Sequence, residues 1–244
     1  AGILKAGVPV ICDGSEPEAV AVIRQKAALL HCPLKVIEPE QVKILLNRGK
    51  NIDFLLQDRY DNKSYRIHVQ TEAVYQTMNG SLAWMAVKEL QKQDSELQQT
   101  EDGVFLEGMA HMHWPGRLEE LLPGVYVDGA HNPGGWRALR QNIDEYFAGR
   151  DLIYICGVFK DKDYEQMLRI MMPGASAFIA VEPDNPRALS RHELKRLAGT
   201  YIDEVYEQED VDDPVRLTMT LADDRQDPVV IVFGSLSFIG PIID

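Results

Sequence analysis

The sequence predicts an α/β fold, because short apolar runs alternate with helical patterns along its C-terminal half. The runs, each about the length of one buried strand, are Val125–Val127, Leu152–Cys156, Ala177–Val181 and Val229–Phe233. The helical patterns between and after them are Trp136–Phe147, Tyr164–Met171, Ser190–Leu197 and Asp213–Leu221. Strands separated by helices pair in parallel and are buried on both faces. A Rossmann-like, doubly wound and mostly parallel sheet is therefore expected for this half.

The N-terminal half mixes helices with short strands. The predicted strands are Val8–Cys12, Leu34–Ile37, Ile52–Leu56 and Tyr65–Val69, of which the last two form an antiparallel pair. A helix is predicted at Glu16–Leu30, with Ser15 as its N-cap. A second, longer helix is predicted at Glu72–Gln91, and the polar stretch Gln91–Gly103 is expected to be a linker or the end of that helix.

Composition limits the classes of protein to which the chain can belong. Its 244 residues suggest one large or two modest domains, and 45% hydrophobic residues are enough for real cores. The net charge of -13 argues against a nucleic-acid partner, which would require a basic surface. No apolar run approaches the roughly 18 residues of a membrane span, so no membrane partner is expected. The odd number of cysteines, three, predicts free thiols and a reducing, cytoplasmic location.

One strand of the C-terminal half ends in an unusually polar and glycine-rich stretch, "YVDGAHNPGG" at Tyr126–Gly135. Ligands of open parallel sheets bind beyond the carboxyl ends of the strands, and glycines let the backbone approach a ligand closely. Asp128 is a candidate for contact with a ribose hydroxyl or a cation, and His131 for contact with a carboxylate or phosphate. An ordinary strand-to-helix turn is the alternative. The stretch lacks the G-x-G-x-x-G pattern of dinucleotide sites.

Two further stretches place polar side chains where they can serve the same site. Arg117 follows a rigid Pro-Gly in "HWPGRLEEL" and precedes Asp128 by one short strand, so both side chains can face one ligand. Gln76 and Asn79 lie three residues apart, and hence on one face of the long helix. For each of these residues, an ordinary solvated or core position is the alternative.

In their order along the chain, these motifs resemble the folylpolyglutamate synthase/dihydrofolate synthase family of the Mur ligase superfamily. The matching segments are Gln76, Asn79 and Ala83 of the long helix, Pro115–Glu119, Asp128–Asn132, Gly157–Asp163, Gly234–Leu236 and Ala1–Val10. The resemblance therefore covers nearly the whole chain. It implies that residues 1–107 are the C-terminal part of a central α/β ATP-binding domain and that residues 108–244 are a C-terminal glutamate-ligase domain.

The resemblance implies an ATP-dependent amide ligase that adds L-glutamate to folate or dihydropteroate. ATP phosphorylates the acceptor carboxylate, and the amine of glutamate then displaces phosphate from the acyl phosphate. Such phosphoryl transfer requires cations that stabilise the negative charge on the phosphoryl oxygens. ATP and Mg²⁺ are the implied cofactors, and a monomer is expected.

The resemblance also implies roles for individual residues. The implied catalytic residues are Arg117, His131 and Lys160. The implied contacts with ATP come from Asn79, Arg117 and Asp128. The implied contacts with the incoming substrate come from His131, Asn132, Asp161 and Ser235. No metal ligand is expected within the chain.

The chain lacks the G-x-x-x-x-G-K-[ST] loop that cradles nucleotide phosphates. The resemblance places this P-loop, together with the magnesium ligands, upstream of Ala1. The chain is therefore expected to be a C-terminal part of the enzyme and to be inactive alone. Another Mur-type amino-acid ligase is one alternative, and a non-catalytic binding module that lost its P-loop is the other.

Overall fold

The computed structural model describes residues 2–208, 221–222, 225–235 and 239–240. The chain divides into two units, Ala1–His113 and Trp114–Asp244. The domain boundary predicted between residues 107 and 108 falls inside a helix near the end of the first unit. Within the described ranges, no helix is long and apolar enough to cross a membrane.

The N-terminal unit begins with two parallel strands joined by a helix: β1 (Val10–Asp13), α1 (Pro17–Leu29) and β2 (Leu34–Ile37). All three elements lie close to their predicted positions. The prediction that Ser15 caps α1 is wrong. Its hydroxyl and its backbone N–H both donate to Asp13 Oδ1, so the serine closes a turn after β1 and the residue that follows it takes the N-cap position.

A three-stranded antiparallel sheet follows in the order β3-β4-β5. Its strands are β3 (Val42–Asn47), β4 (Ile52–Asp58) and β5 (Lys63–Val69). The predicted β4–β5 pair is confirmed, and alternate residues such as Phe54 and Ile67 are completely buried. The sequence does not predict β3, because its apolar residues run consecutively instead of alternating and are exposed at the edge of the sheet.

Three helices complete the described part of this unit: α2 (Gln76–Gln91), α3 (Ser95–Gln99) and α4 (Asp102–Ala110). Helix α2 begins four residues later than predicted and buries Trp84 against the antiparallel sheet. The stretch Gln91–Gly103, expected to be a linker or helix end, instead contains α3 and the start of α4. Its polar composition partly reflects capping, because the Asp94 carboxylate accepts two backbone N–H groups from the first turn of α3.

The C-terminal unit contains a six-stranded sheet with helices between its strands. The strands are β6 (Arg117–Leu122), β7 (Val125–Asp128), β8 (Asp151–Cys156), β9 (Ala175–Val181), β10 (Val205–Gln208) and β11 (Pro228–Phe233). Along the chain, these strands are separated by helices α5 (Pro133–Tyr146), α6 (Tyr164–Met171) and α7 (Arg191–Ala198). The strand order is β10-β9-β8-β11-β7-β6, and β6 alone among these strands pairs antiparallel. The predicted doubly wound, mostly parallel sheet is confirmed.

The two strands that the sequence does not predict, β6 and β10, form the edges of this sheet. Both are only partly buried and carry charged residues. Neither therefore shows the continuous apolar run that marks a strand buried on both faces. The predicted helix at Asp213–Leu221 lies outside the described residues, except for Leu221.

The backbone packs closely just beyond the ends of two central strands. Gly234 follows β11 with a φ of +123°, and a Cβ built there would lie 2.3 Å from the carbonyl oxygen of Gly157, which follows β8. Side chains are disfavoured by this backbone conformation and excluded by this distance. Position 234 therefore requires glycine, and its absence of a side chain lets the β8 and β11 loops contact each other directly.

We expect Gly234→Ala to lower the free energy of unfolding by about 3 kcal/mol or more, because the methyl group adds a steric clash to backbone strain. Gly149→Ala is the matched control, since Gly149 also has a positive φ, +79°, but a Cβ there meets no atom within 4 Å. The control should lose only about 1 kcal/mol. Urea unfolding of both variants measures these losses, and equal losses would contradict the packing argument.

Candidate functional site

Three central strands of the C-terminal unit end side by side. Asp128 of β7, Phe233 of β11 and Cys156 of β8 are register partners, so the loops after them leave the sheet at the same level. Open parallel sheets bind their ligands at this edge. Most of the predicted site residues follow these strands: His131 and Asn132 after β7, Lys160 and Asp161 after β8, and Ser235 after β11.

Arg117 lies on a strained bulge opposite Asp128. The two residues are register partners across β6 and β7, and the register shifts between Arg117 and Glu119. Leu118, at the bulge, has a φ of 47°, and its backbone N–H donates to Asp128 Oδ2 at 2.9 Å. The N–H of Gly116, whose φ is 68°, donates to Glu119 Oε2 at 2.7 Å. Strain of about 1–3 kcal/mol persists only where surrounding bonds hold it, so this turn fixes the backbone of Arg117.

The side chain of Arg117 is partly buried. Among the residues that the structure describes, none forms a hydrogen bond or ion pair with its guanidinium. A guanidinium presents its donors in a planar fork that matches carboxylate and phosphate oxygens. The bulge therefore presents an anion-binding group at the end of β7. Its predicted contact with ATP stays a prediction.

The carboxylate of Asp128 supports this bulge from below the surface. The residue is only 1% exposed, and its two oxygens accept from the backbone N–H groups of Leu118, at 2.9 Å, and Ala130, at 2.7 Å. It thereby ties the β6 bulge to the loop that follows β7. The predicted contact of Asp128 with ATP stays a prediction, and a ribose hydroxyl would have to share oxygens that already accept two hydrogen bonds.

His131 follows the same strand and is half-buried. Its Nδ1 lies 2.9 Å from the carbonyl oxygen of Gly129. Because a carbonyl oxygen only accepts, Nδ1 must carry the proton in this hydrogen bond, and the neutral ring then has its lone pair on Nε2. The ring is thus oriented by the backbone. Its predicted catalytic and substrate-binding roles are compatible with this tautomer and stay predictions.

The rest of this loop starts helix α5. Asn132 is the N-cap, and its Oδ1 accepts from the backbone N–H of Gly135 at 2.8 Å. The indole N–H of buried Trp136 donates to the carbonyl oxygen of Ala130 at 3.1 Å. Asn132 therefore has a clear structural role, and the substrate contact predicted for it stays a prediction.

The loop after β8 carries Lys160 and Asp161, both exposed. The two carboxylate oxygens of Asp161 accept from Nη2 of Arg187, each at 2.8 Å. This hydrogen bond with Arg187 is the main reason that the pKa of Asp161 is lowered from its ordinary value. The sequence gives no signal for Arg187, because it lies 26 residues beyond its partner. The predicted substrate contacts of Lys160 and Asp161 stay predictions.

Ser235 follows Gly234 at the end of β11 and is only 3% exposed. Its carbonyl oxygen accepts from the backbone N–H of Ile239 at 3.1 Å. Burial at the level where β7 and β8 also end agrees with the predicted location of Ser235. The contact with substrate stays a prediction.

Asn79 belongs to the N-terminal unit, where it is exposed on α2. Its Nδ2 donates to Oε1 of Gln76 at 2.7 Å, so the two amides do share one face of the helix, as their spacing predicts. Its contact with ATP stays a prediction. Across the described ranges, no group of three or more His, Cys, Asp and Glu side chains is arranged to hold a metal ion. We therefore assign no step through Mg²⁺ to these residues.

Residues 116–236 match the protein family described as "Mur ligase, glutamate ligase domain". This range runs from the glycine of the bulge to just past Ser235, so it includes every predicted site residue of the C-terminal unit. The C-terminal unit belongs to the Mur ligase glutamate ligase domain family. The resemblance on which the site residues were predicted is thereby confirmed for this ligase domain.

Named relatives extend the similarity to the N-terminal unit. The dihydrofolate synthase/folylpolyglutamate synthase of Bacillus subtilis is 28% identical over 248 aligned positions, which cover 99% of this chain and 55% of that protein. The folylpolyglutamate synthase of Lacticaseibacillus casei is 29% identical over 240 positions, which cover 97% of this chain and 53% of that protein. The chain thus spans about half the length of these relatives, and the ligase domain is part of that half.

Solved structures share the fold. The Mycobacterium tuberculosis folylpolyglutamate synthase complexed with ADP and AMPPCP superposes with a TM-score of 0.80 at 24% identity, covering 98% of this chain and 56% of that one. Escherichia coli FolC in complex with DHPP and ADP superposes with a TM-score of 0.76 at 20% identity, covering 99% of this chain and 53% of that one. At these identities the superpositions establish the fold of both units.

We expect Asp128→Asn to lower the free energy of unfolding by about 2 kcal/mol. The amide oxygen can still accept from one backbone N–H, but the amide NH2 group would face the other backbone N–H, which is also a donor. Asp184→Asn is the control, since Asp184 is exposed in the same ligase domain. The control should change stability by less than about 0.5 kcal/mol. Thermal and urea unfolding measure both variants. A loss at Asp128 no larger than that of the control would show that the carboxylate does not support the bulge.

Proposed function

We propose that the chain supplies the glutamate ligase domain, and an adjoining part of the ATP-binding domain, of an ATP-dependent ligase. The ligase adds L-glutamate to folate or dihydropteroate. The acceptor carboxylate is first phosphorylated by ATP, because a free carboxylate has no good leaving group, and the glutamate amine then displaces phosphate. The family match of residues 116–236 supports this proposal. So do the names of the relatives, which are folylpolyglutamate and dihydrofolate synthases.

The observation that carries the proposal is the pair of cations, Arg117 and Lys160, at the carboxyl edge of the sheet in the ligase domain. Arg117 lies on a fixed bulge without a partner among the described residues, and Lys160 is exposed on a neighbouring loop. A chain with a net charge of -13 must hold anionic reactants with local cations. ATP, an acyl phosphate and glutamate are all anions. A cationic edge is therefore the electrostatic feature that this reaction needs most.

Each residue of the edge then has a distinct task. Arg117 binds phosphate oxygens through its guanidinium fork, where negative charge accumulates during phosphoryl transfer. His131, held by the backbone through Nδ1, offers Nε2 to the incoming amino acid. Lys160 offers an ammonium to a carboxylate. Asp128 holds the backbone that orients the guanidinium of Arg117.

The N-terminal unit supplies the remaining part of the proposal. Its helix α2 carries Asn79, for which we propose the contact with ATP. Solved relatives of the same fold are described with ADP and with AMPPCP, which agrees with ATP as the nucleotide. Magnesium, when bound, would neutralise phosphate charge. We propose that most of its ligands lie in the part of the ligase that residues 1–244 do not include, because this chain spans about half the length of its named relatives.

We also propose a cytoplasmic, monomeric ligase. The three cysteines are free and buried, which agrees with a reducing compartment. Light scattering of the purified protein checks the monomer, and a dimer at micromolar concentration would contradict it.

A fusion tests the function directly. The N-terminal part of the Bacillus subtilis relative, which this chain does not match, is joined to residue 1, and incorporation of labelled L-glutamate into dihydropteroate and tetrahydrofolate is measured. We expect ATP-dependent ligation by the fusion and none by the 244-residue chain alone, because the chain lacks a P-loop. The Bacillus subtilis enzyme is the positive control. An inactive, folded fusion beside an active control would contradict the proposal.

Within that fusion, we expect Arg117→Ala to lower kcat/KM about 100-fold or more, because one charged donor to the phosphoryl oxygens is lost. Arg169→Ala is the matched control, since Arg169 is exposed on α6. Its kinetics should stay within about twofold of the parent fusion. Unfolding midpoints of the two variants are compared, so that a loss of structure is recognised. Unchanged kinetics in Arg117→Ala would remove this residue from the site.

A further inference from the structure

Two loops of the ligase domain are fastened to each other beyond the carboxyl ends of β8 and β9. The backbone N–H of Lys160 donates to the carbonyl oxygen of Arg187 at 2.8 Å, and the N–H of Leu189 donates to the carbonyl oxygen of Val158 at 2.8 Å. An isolated bridge between Phe159 and Ala188 lies between these two bonds. The loop after β8 is therefore paired with the loop after β9 like a short antiparallel ribbon.

The side chain of Arg187 reinforces this pairing in two ways. Its Nη2 donates to both carboxylate oxygens of Asp161 at 2.8 Å. Its guanidinium carbon also lies 5.0 Å from the ring centroid of Phe159, which is a cation–π distance. One side chain thus contacts the residues on both sides of Lys160. Its own backbone is held in turn, because its N–H donates to Asn185 Oδ1 at 3.0 Å.

One cation of this cluster, Lys160, has no carboxylate partner among the described side chains. Asp161 pairs with Arg187, and its Oδ2 also lies 3.3 Å from Nζ of Lys162. Lys160 is exposed, and none of the described side chains accepts a hydrogen bond from its ammonium or pairs with it. Without Arg187, the carboxylate at position 161 would keep only Lys162 as a partner, and as the chain neighbour of Lys160 it would weaken the attraction of that ammonium for an anion.

We propose that Arg187 is a positioning residue for the amino-acid substrate. It fixes the loop after β8 and neutralises Asp161, so that the ammonium of Lys160 is held for a carboxylate of that substrate. This inference rests on the proposed function and adds a residue outside the motifs that predicted it. The ligand class is an amino acid with a free carboxylate, for which L-glutamate is the probe.

Kinetics of the fusion described above test the proposal. Arg187→Ala should raise the KM for L-glutamate about tenfold while kcat and the KM for ATP stay within about twofold, because only placement of the amino acid is impaired. Arg187→Lys keeps the charge but loses the planar guanidinium that lies against the Phe159 ring, and should recover part of this loss. Arg196→Ala is the matched control. That arginine makes a similar exposed, two-pronged pair with Glu193 on α7, and its removal should leave the KM unchanged.

A double-mutant cycle shows whether Arg187 acts through Lys160. Lys160→Ala should raise the KM for L-glutamate to a similar extent, and adding Arg187→Ala to it should have less than about a twofold further effect. If the KM increases of the two single variants multiply in the double variant, the proposal is overturned. An unchanged KM in Arg187→Ala within an active fusion would also overturn it and leave the proposed function standing. No ligation by the parent fusion, beside an active Bacillus subtilis control, would overturn both.

Amide hydrogen exchange of the 244-residue chain gives a second readout that needs no activity. The N–H groups of Lys160 and Leu189 bond between the two loops, so their exchange should be about tenfold faster in Arg187→Ala than in the parent chain or in Arg196→Ala. The global unfolding midpoint should be unchanged, because the pair is exposed. Equal exchange in all three proteins would show that Arg187 does not hold the loops together.

Discussion

A single buried carboxylate holds the candidate site of the ligase domain together. Asp128 ends a buried strand, and there its oxygens accept one backbone N–H from the β6 bulge and one from the loop that leads to α5. Burial excludes the water that would otherwise replace these bonds, so removing one is costly. The left-handed backbone of Leu118 depends on this carboxylate, and so does the position of Arg117 next to it. Asp128, for which the sequence predicts a ligand contact, thus supports the backbone of the arginine that we propose binds the anion.

Electrostatics explain why such support is needed. The chain has a net charge of -13, and the reactants proposed for it are anions. Two cations at the carboxyl edge of the sheet offset this repulsion. They are the guanidinium of Arg117 on the β6 bulge and the ammonium of Lys160 on the loop after β8. In both cases a neighbouring acid is satisfied by other groups, Asp128 by backbone N–H groups and Asp161 by Arg187. Both acids therefore shape the loops, and within the described part of the chain neither forms an ion pair with Arg117 or Lys160.

Sequence patterns were most informative where burial was complete. The central strands β7, β8, β9 and β11 have continuous apolar runs because helices cover them, and each was predicted to within two residues. The edge strands β6 and β10 are partly buried and mixed in composition, so no pattern marks them. Ser15 illustrates a second limit. Several turn and cap geometries suit a serine, and only the position of Asp13 selects one of them.

By itself the sequence determined the fold class of the C-terminal unit, its family resemblance and the loops that carry the candidate site, since these follow from local periodicity and from motifs contiguous in the chain. Only the tertiary structure decided which side chains hold the loops and which lie at the edge of the sheet without a partner among the described residues. Arg187 and Asp161 are separated by 26 residues, and their pairing exists only because β8 and β9 are neighbours in the sheet. Likewise, position 234 requires glycine because the carbonyl oxygen of Gly157 leaves no space for a side chain there. Gly157 lies on the loop after another strand. Local sequence encodes local geometry, whereas contacts between loops arise from the order of the strands.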